Sequence, residues 1–430
     1  GTTGIMNAHN SRRGYHLVRA GRLLPTGGGM LSRFGTRLFT PAAHRLLDRL
    51  DARLESGRLE AWLPDGSFRI LGGRAHGPHC EVHLRDWRAL ARLALSGSVG
   101  WFRAWQLGEW SSPDPVPLFA LFMANARALG DTARARGPLR LLARAIHGWR
   151  ANHRSGSRRN IAFHYDLGND FYALWLDAGM SYSSALFADL TKRNEPLELA
   201  QERKNDAVLD RLALKDGDRL LEIGCGWGAL AQRALERADI HYDGLTLSAE
   251  QKSWAQAHLP SQARIHLTDY RDATGQYDAI ASVEMVEAVG QRYWGDYLAT
   301  IARLLKPGGR AAIQYICIDD ALFERYAASA DFIQTYIFPG GMLISQSRFR
   351  ALAEAEGLEW RDARHFGLHY AETLRRWRLR FDAAIDAGTL PPAFDENFVR
   401  LWRYYLMYCE GGFRGGGIDV AQVTLVKPAI

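Results

Sequence analysis

The stretch Leu220–Ala231, LLEIGCGWGALA, carries most of what the chain says about its fold. An apolar run with an acid near its end, Glu222, breaks into three alternating glycines, Gly224, Gly226 and Gly228, and resumes as the helix-compatible ALAQRALERA, 229–238. Strand, tight turn and helix in that order place backbone without Cβ atoms at the carboxyl end of a strand, where a ligand can come close to the main chain. The spacing is GxGxG, whereas the dinucleotide fingerprint is GxGxxG, so the turn alone predicts a ligand without naming it. It also leaves Cys225, in its middle, to be explained.

Outward from this turn the pattern is regular. DRLLEIG (218–224), IHYDGLTLS (240–248), ARIHLTDY (263–270), YDAIASVEM (277–285) and GRAAIQYICI (309–318) are short apolar runs separated by helical stretches, which predicts an α/β fold with a doubly wound, mostly parallel sheet. LLKPGGR (304–310) marks a turn before the fifth strand, residues 319–412 read as aromatic-rich and mostly helical, and DVAQVTLVKP (419–428) reads as a final strand. Upstream, residues 1–31 read as a poorly ordered tail, with Gly1–Ile5 ahead of Met6 as a cloning remnant. Residues 32–133 read as a small α+β unit: helix at 37–54, hairpin turning at Pro64-Asp65-Gly66, helix again at 83–97. A linker, 134–159, precedes the catalytic domain, 160–430.

Composition sets the outer bounds. The 430 residues hold 47% hydrophobic and 23% charged residues, enough for two or three domains with real cores. No run reaches the ~18–20 apolar residues of a membrane span and no signal peptide is visible, so a cytoplasmic location is expected. Four separate cysteines with no CxxC pair argue against a disulfide framework and a zinc site, and the histidines fall in no metal-ligand pattern, so no metal is expected. The net charge of +7 is asymmetric: residues 1–150 carry 22 Arg, no Lys and 10 acids, a balance of +12, against −5 for the remainder. Such a bias points to a polyanion, an anionic membrane surface or a nucleic acid, or else to an ordinary solvated face. The linker alone has eight arginines and no acid, with Leu139, Leu142, Ala143, Ile146 and Trp149 at helical spacing, the pattern of a helix lying on an anionic bilayer or of a linker packing on its own protein.

The glycine turn together with LLKPGGR resembles the class I (Rossmann-like) S-adenosylmethionine-dependent methyltransferases. The acid that usually ends the second strand there is replaced by GLTLSAEQ (244–251), with Thr246, Ser248 and Gln251. Six motifs in order narrow the resemblance: HYDLGNDFYALWLDAGMSYSSALF (164–187), EIGCGWGALA (222–231), GLTLSAEQ, VEMVEAVG (283–290), YIFPGGML (336–343) and FGLHYAETLRRW (366–377) look like the cyclopropane fatty acid synthase family. The likeness covers 160–430 strongly and the N-terminal unit loosely, through LSGSVGWFRAWQLGEW (95–110).

The resemblance implies transfer of the methyl of S-adenosylmethionine to the cis double bond of an acyl chain in a membrane phospholipid. An alkene is a weak nucleophile, so catalysis leans on positioning, and a base must then remove a proton from the new methyl. The family's base is a bound bicarbonate, and by resemblance its pocket comprises Cys225, Glu287, Gln314, the backbone of Ile316 and Tyr370. Gln314 stands where the family has His; it donates a hydrogen bond but carries no charge and relays no proton. Cofactor contacts carried over are Tyr182, Ser183, Gly224, Gly226, Thr246, Gln251, Tyr270 and Arg271. Tyr165, Phe171, Tyr336 and Phe338 suit a greasy channel and equally a plain core. Ring closure gives a cyclopropane; electron movement into a new double bond gives a methylene- or methyl-branched chain, the latter with a reductase partner. A homodimer peripherally attached to the inner membrane face is also implied by the resemblance. Two other readings compete: an RNA methyltransferase, prompted by the arginines, and a non-enzymatic S-adenosylmethionine- or lipid-binding protein, prompted by Gln314. With no RNA-binding motif in the chain, a nucleic-acid partner is not expected.

Overall fold

The computed structural model describes residues 30–130, 132 and 167–430, with side chains from 39 onward. The arginine-rich linker, its apolar stripe and Tyr165 lie outside the described residues.

The glycine turn sits at the centre of a large sheet of strand order β11-β12-β9-β8-β5-β6-β7. β5 (Arg219–Ile223), β6 (His241–Thr246), β7 (Ala263–Leu267), β8 (Tyr277–Val283) and β9 (Leu305–Ile318) run parallel, while β12 (Ile418–Val426) returns antiparallel along β9. These are the predicted strands in the predicted order. β5 is buried at Leu220, Leu221, Glu222 and Ile223, because helices cover both faces of a doubly wound sheet and an alternating pattern would leave polar groups in the core.

Two features depart from the reading of 319–412 as mostly helical. Short β10 (Ile344–Ser345) pairs with β9, and β11 (Glu359–His365, EWRDARH) forms the sheet edge beside β12. β11 is exposed over most of its length and largely charged, as an edge strand that must not recruit another chain tends to be. Its sequence therefore carries no apolar alternation to announce it.

The N-terminal unit has the expected helix–hairpin–helix plan, with a sheet of order β2-β1-β3-β4: β1 (Arg58–Trp62) and β2 (Phe68–Gly72) form the hairpin, β3 (His79–Leu84) lies parallel to β1, and β4 (Trp110–Ser111) closes the edge. Its first helix begins at Met30, inside the stretch read as tail. The unit does not have a core of its own: Phe102 packs on Phe332, Tyr336 and Tyr404 with ring centroids 4.7–4.8 Å apart, so one apolar cluster runs from Leu47 to Phe413. Phe171 and Tyr336 belong to this core.

Candidate active site

Two hollows meet beside the carboxyl ends of the strands. The first is a polar cleft above the glycine turn, lined by Tyr182, Ser183, Gly224, Gly226, Thr246, Gln251 and Tyr270 among others. Gly224 has φ +78°, and a Cβ there would lie 2.3 Å from Met285 Sδ, so only glycine fits between the turn and the β8 end. Thr246 Oγ1 donates to Gln251 Oε1 at 2.7 Å, and Ser248 Oγ accepts from Gln251 N, capping the helix Ala249–His258. A side-chain amide and hydroxyls thus stand where a carboxylate was missed in the sequence, and Asp269 supplies an acid one strand further on. The cleft's backbone turn and hydroxyl-rich wall fit S-adenosylmethionine. Arg271 is not on that wall: its guanidinium is clamped by Asp269 at 2.7 and 3.0 Å and stacks 4.8 Å from the Tyr293 ring centroid, so it orders the loop from behind.

The second hollow is an apolar cavity of about 430 Å³ whose walls come from both units, Leu93, Trp101 and Phe122 on one side and Ile316, Ile337 and Phe338 on the other. Tyr182 borders both hollows, and its hydroxyl lies 2.8 Å from that of Tyr405. At this junction the structure gathers Glu284, Glu287, Ile316 and Tyr370.

Glu284 is the residue that the sequence reading missed. Tyr370 Oη donates to its Oε1 at 2.6 Å; Gln314 Nε2 and Ser184 N donate to its Oε2 at 2.7 and 2.8 Å. Strand register explains the meeting: Val283 of β8 pairs with Gln314 of β9, so the first residue beyond β8 stands beside Gln314, and Ile316 falls on the same face two residues on. Glu284 itself adopts φ +54°, a left-handed conformation that costs of order 1 kcal/mol in a non-glycine residue and aims its side chain into the junction. The signal was present in VEMVEAVG, which has two acids; which one meets Tyr370, Gln314 and Ser184 depends on the backbone reversal between them.

Glu287 lies alongside. Ile316 N donates to its Oε1, and its Oε2 has no hydrogen-bond partner among the described residues. Burial, then the neighbouring Glu284 carboxylate, push Glu287 up to about 8, so it is mostly protonated at neutral pH. Burial raises Glu284 as well, but the charge of Lys204 and the donors Tyr370, Ser184 and Gln314 oppose it. Of two adjacent carboxyls the one with three donors takes the charge, leaving Glu287 neutral. Both line the mainly apolar cavity, so burial still governs them.

Cys225 is not among the residues brought together at the junction. Cys225 lines the polar cleft rather than the junction: a Cβ on Gly244 would lie 2.9 Å from its Cβ, its neighbours are Leu220, Leu230 and Tyr242, and burial raises its thiol far above the usual range. In a GxGxG turn the backbone faces the ligand, so the side chain between the glycines goes into the core. Of the groups expected around bicarbonate, Tyr370 and Gln314 donate to Glu284, as does Ser184 N. Among the described residues no three His, Cys, Asp or Glu side chains gather as a metal ion would require.

The sequence model of the mycolic acid cyclopropane synthetase family matches residues 152–423. The chain belongs to that family. It is 40% identical over 362 residues, 81% of this chain and 83% of the other, to the tuberculostearic acid methyltransferase UfaA1 of Mycobacterium tuberculosis. It is 38% identical over 266 residues, 61% of this chain and 66% of the other, to the cyclopropane-fatty-acyl-phospholipid synthase of Escherichia coli. Among solved structures, the mycolic acid cyclopropane synthase CmaA1 complexed with SAH superposes with a TM-score of 0.58 at 32% identity, covering 63% of this chain and 98% of that one. The protein is therefore an S-adenosylmethionine-dependent methyltransferase acting on lipids, and its fold is the class I methyltransferase fold.

Proposed function

We propose that the enzyme methylates the cis double bond of an unsaturated phospholipid acyl chain held in the apolar cavity, with the Glu284 carboxylate, rather than bicarbonate, as the base. The observation that carries this reading is the carboxylate of Glu284 with its three donors, at the point where the cofactor cleft opens on a cavity of acyl-chain character.

When bound in the cleft, S-adenosylmethionine supplies an electrophilic methyl on a positively charged sulfur. Tyr182 borders the passage between cleft and cavity, so the alkene is presented to that methyl across its ring. Bound there, the cofactor would supply its methyl to the alkene π pair and leave as the neutral thioether, so that a cation would be left on the adjacent chain carbon for the protein to stabilise. The rings of Tyr182, Tyr370 and Tyr405 line the cavity there and offer π-density to the cation, while the apolar walls keep water from quenching it. Glu284 Oε takes a proton from the transferred methyl. If its C–H pair closes on the cation, the product is a cyclopropane. If a hydride first shifts from the methylated carbon to the cation, the same proton loss leaves a methylene branch.

The branched product is our reading. UfaA1, a relative alike over both units at 40% identity, is named for making a branched fatty acid, and the charged junction differs from the bicarbonate pocket that the motifs imply. Ring closure is the second reading, favoured by the 38% identity to the E. coli synthase. Attachment to the anionic membrane face through the basic N-terminal third completes the proposal. Incubation with S-adenosylmethionine and vesicles of a cis-monounsaturated phospholipid, followed by proton NMR of the released fatty acids, separates the products. Vinylidene protons are expected; high-field ring protons would replace the first reading by the second, and no product would remove both.

A further inference from the structure

Lys204, on the helix Leu197–Asp210, is only 1% exposed. Its ammonium donates to Ser183 Oγ at 2.5 Å, Gln201 Oε1 at 2.9 Å and Ser184 O at 3.2 Å, so all three protons are used on neutral acceptors. It makes no ion pair among the described residues. A buried ammonium in contact with no carboxylate destabilises a fold that a methionine would fill more cheaply, which calls for a reason in function.

The neighbours supply one. Ser183 and Ser184 form the partition between the two hollows: Ser183 lines the cofactor cleft, while Ser184 N donates to Glu284 and Ser184 O accepts from both Lys204 and, at 3.4 Å, Gln314. Three acids face the ammonium: Glu284 from the turn after β8, Asp177 from the segment after the helix Asn169–Ala173, and Glu222 from β5. Glu222 accepts from Tyr242 Oη at 2.6 Å and is pushed by burial up to about 8; Asp177 is raised by burial and turned towards the backbone of Ser181 and Gly179. Glu284 is the acid whose charge has work to do.

We propose that Lys204 is a positioning residue for catalysis: it pins the Ser183–Ser184 partition so that Ser184 N meets Glu284, and its charge keeps Glu284 ionised. This rests on the reading of Glu284 as the base. Lys204 is the leading charge that opposes the effect of burial on Glu284, and burial pushes Lys204 itself down to about 8. The sign of both effects is therefore set. Below the Glu284 value the base is protonated and activity falls; as pH rises through about 8 Lys204 loses its proton and with it one of the three donors that pin Ser183, Ser184 and Gln201, the partition loosens, and activity falls again.

The test is the pH profile of kcat/KM for full-length protein on dioleoyl phosphatidylglycerol vesicles, read as S-adenosylhomocysteine released. The wild type is expected to give a bell with an alkaline limb near pH 8. Lys204→Met, assayed like the wild type at saturating S-adenosylmethionine because Lys204 and Ser183 line the cofactor cleft, is expected to lose the alkaline limb and to shift the acid limb upward. A uniform fall in rate with both limbs in place would reduce Lys204 to a structural part and overturn the proposal. Should Lys204→Met not fold, Gln201→Glu sets a carboxylate against the ammonium and must move the alkaline limb upward; an unmoved limb counts against the proposal equally. Glu284→Gln distinguishes the levels: if it keeps the wild-type profile, the base assignment fails and the proposal with it, whereas a dead Glu284→Gln beside a Lys204→Met with both limbs in place overturns the role of Lys204 alone.

Discussion

Glu284 and Glu287 are three residues apart, and the structure gives them different protonation and hence different work. Glu284 accepts from three donors and faces the ammonium of Lys204, whereas Glu287 accepts from one backbone amide and is held protonated by burial. Glu284→Gln should lower turnover by about 100-fold or more, the usual loss on removing a general base. Glu287→Gln, which swaps one neutral group for another at neutral pH, should stay within about tenfold. Equal losses in steady-state lipid assays would show that the two carboxyls act as one unit. In the same assay Cys225→Ala should keep its rate within a fewfold and lose about 1 kcal/mol in urea unfolding, since the thiol is a small core side chain; a dead enzyme would return Cys225 to the site.

At the scale of elements, the cavity is shaped by where helices bend and how closely they pack. The helix Arg88–Gln106 breaks at Gly97, which has φ +57° and ψ −133°, and the break sets Ser98 against Asp331, to which its hydroxyl donates at 2.9 Å. Tyr408 Oη donates to the same carboxylate at 2.5 Å, so this tie holds the π-helical turn Ile333–Ile337 that forms part of the cavity wall. The helix Glu396–Gly415 approaches Val116–Ala124 through Gly411, where a Cβ would come 2.4 Å from the Phe119 Cβ and 2.8 Å from the Val116 carbonyl oxygen. Because backbone cannot yield there, Gly411→Leu should cost about 2 kcal/mol or more and lower Tm in a thermal melt. An unchanged melt would show that the two helices can slide apart without cost. The positive φ of Gly97 is invisible in LALSGSVGW, where a lone glycine inside an apolar helical pattern reads as tolerated.

For the molecule as a whole, the boundary expected near residue 133 does not divide two cores. Leu93, Trp101 and Phe122 of the N-terminal unit form one wall of the cavity and the catalytic unit the other, so the cavity exists only when both are present. The basic excess belongs to residues 1–150 of the sequence. Turnover on anionic vesicles should therefore fall as salt rises, while turnover on neutral vesicles stays level. Identical salt curves on the two surfaces would remove the charge-steering part of the proposal.

The sequence by itself determined the sheet, the cofactor cleft and the family, because these rest on local signals: apolar runs of strand length, alternating glycines that permit close backbone approach, and motifs whose residues are near one another in the chain. Tyr182, Thr246 and Gln251 were legible for that reason. Only the tertiary structure decided the surroundings of Glu284, the burial of Cys225 and the shared cavity. Glu284 meets Tyr370 across 86 residues and Ser184 across 100, through a strand register and a left-handed turn that no local pattern encodes. Phe102 meets Phe332 only because a common core is more stable than two small ones that leave aromatic faces in water.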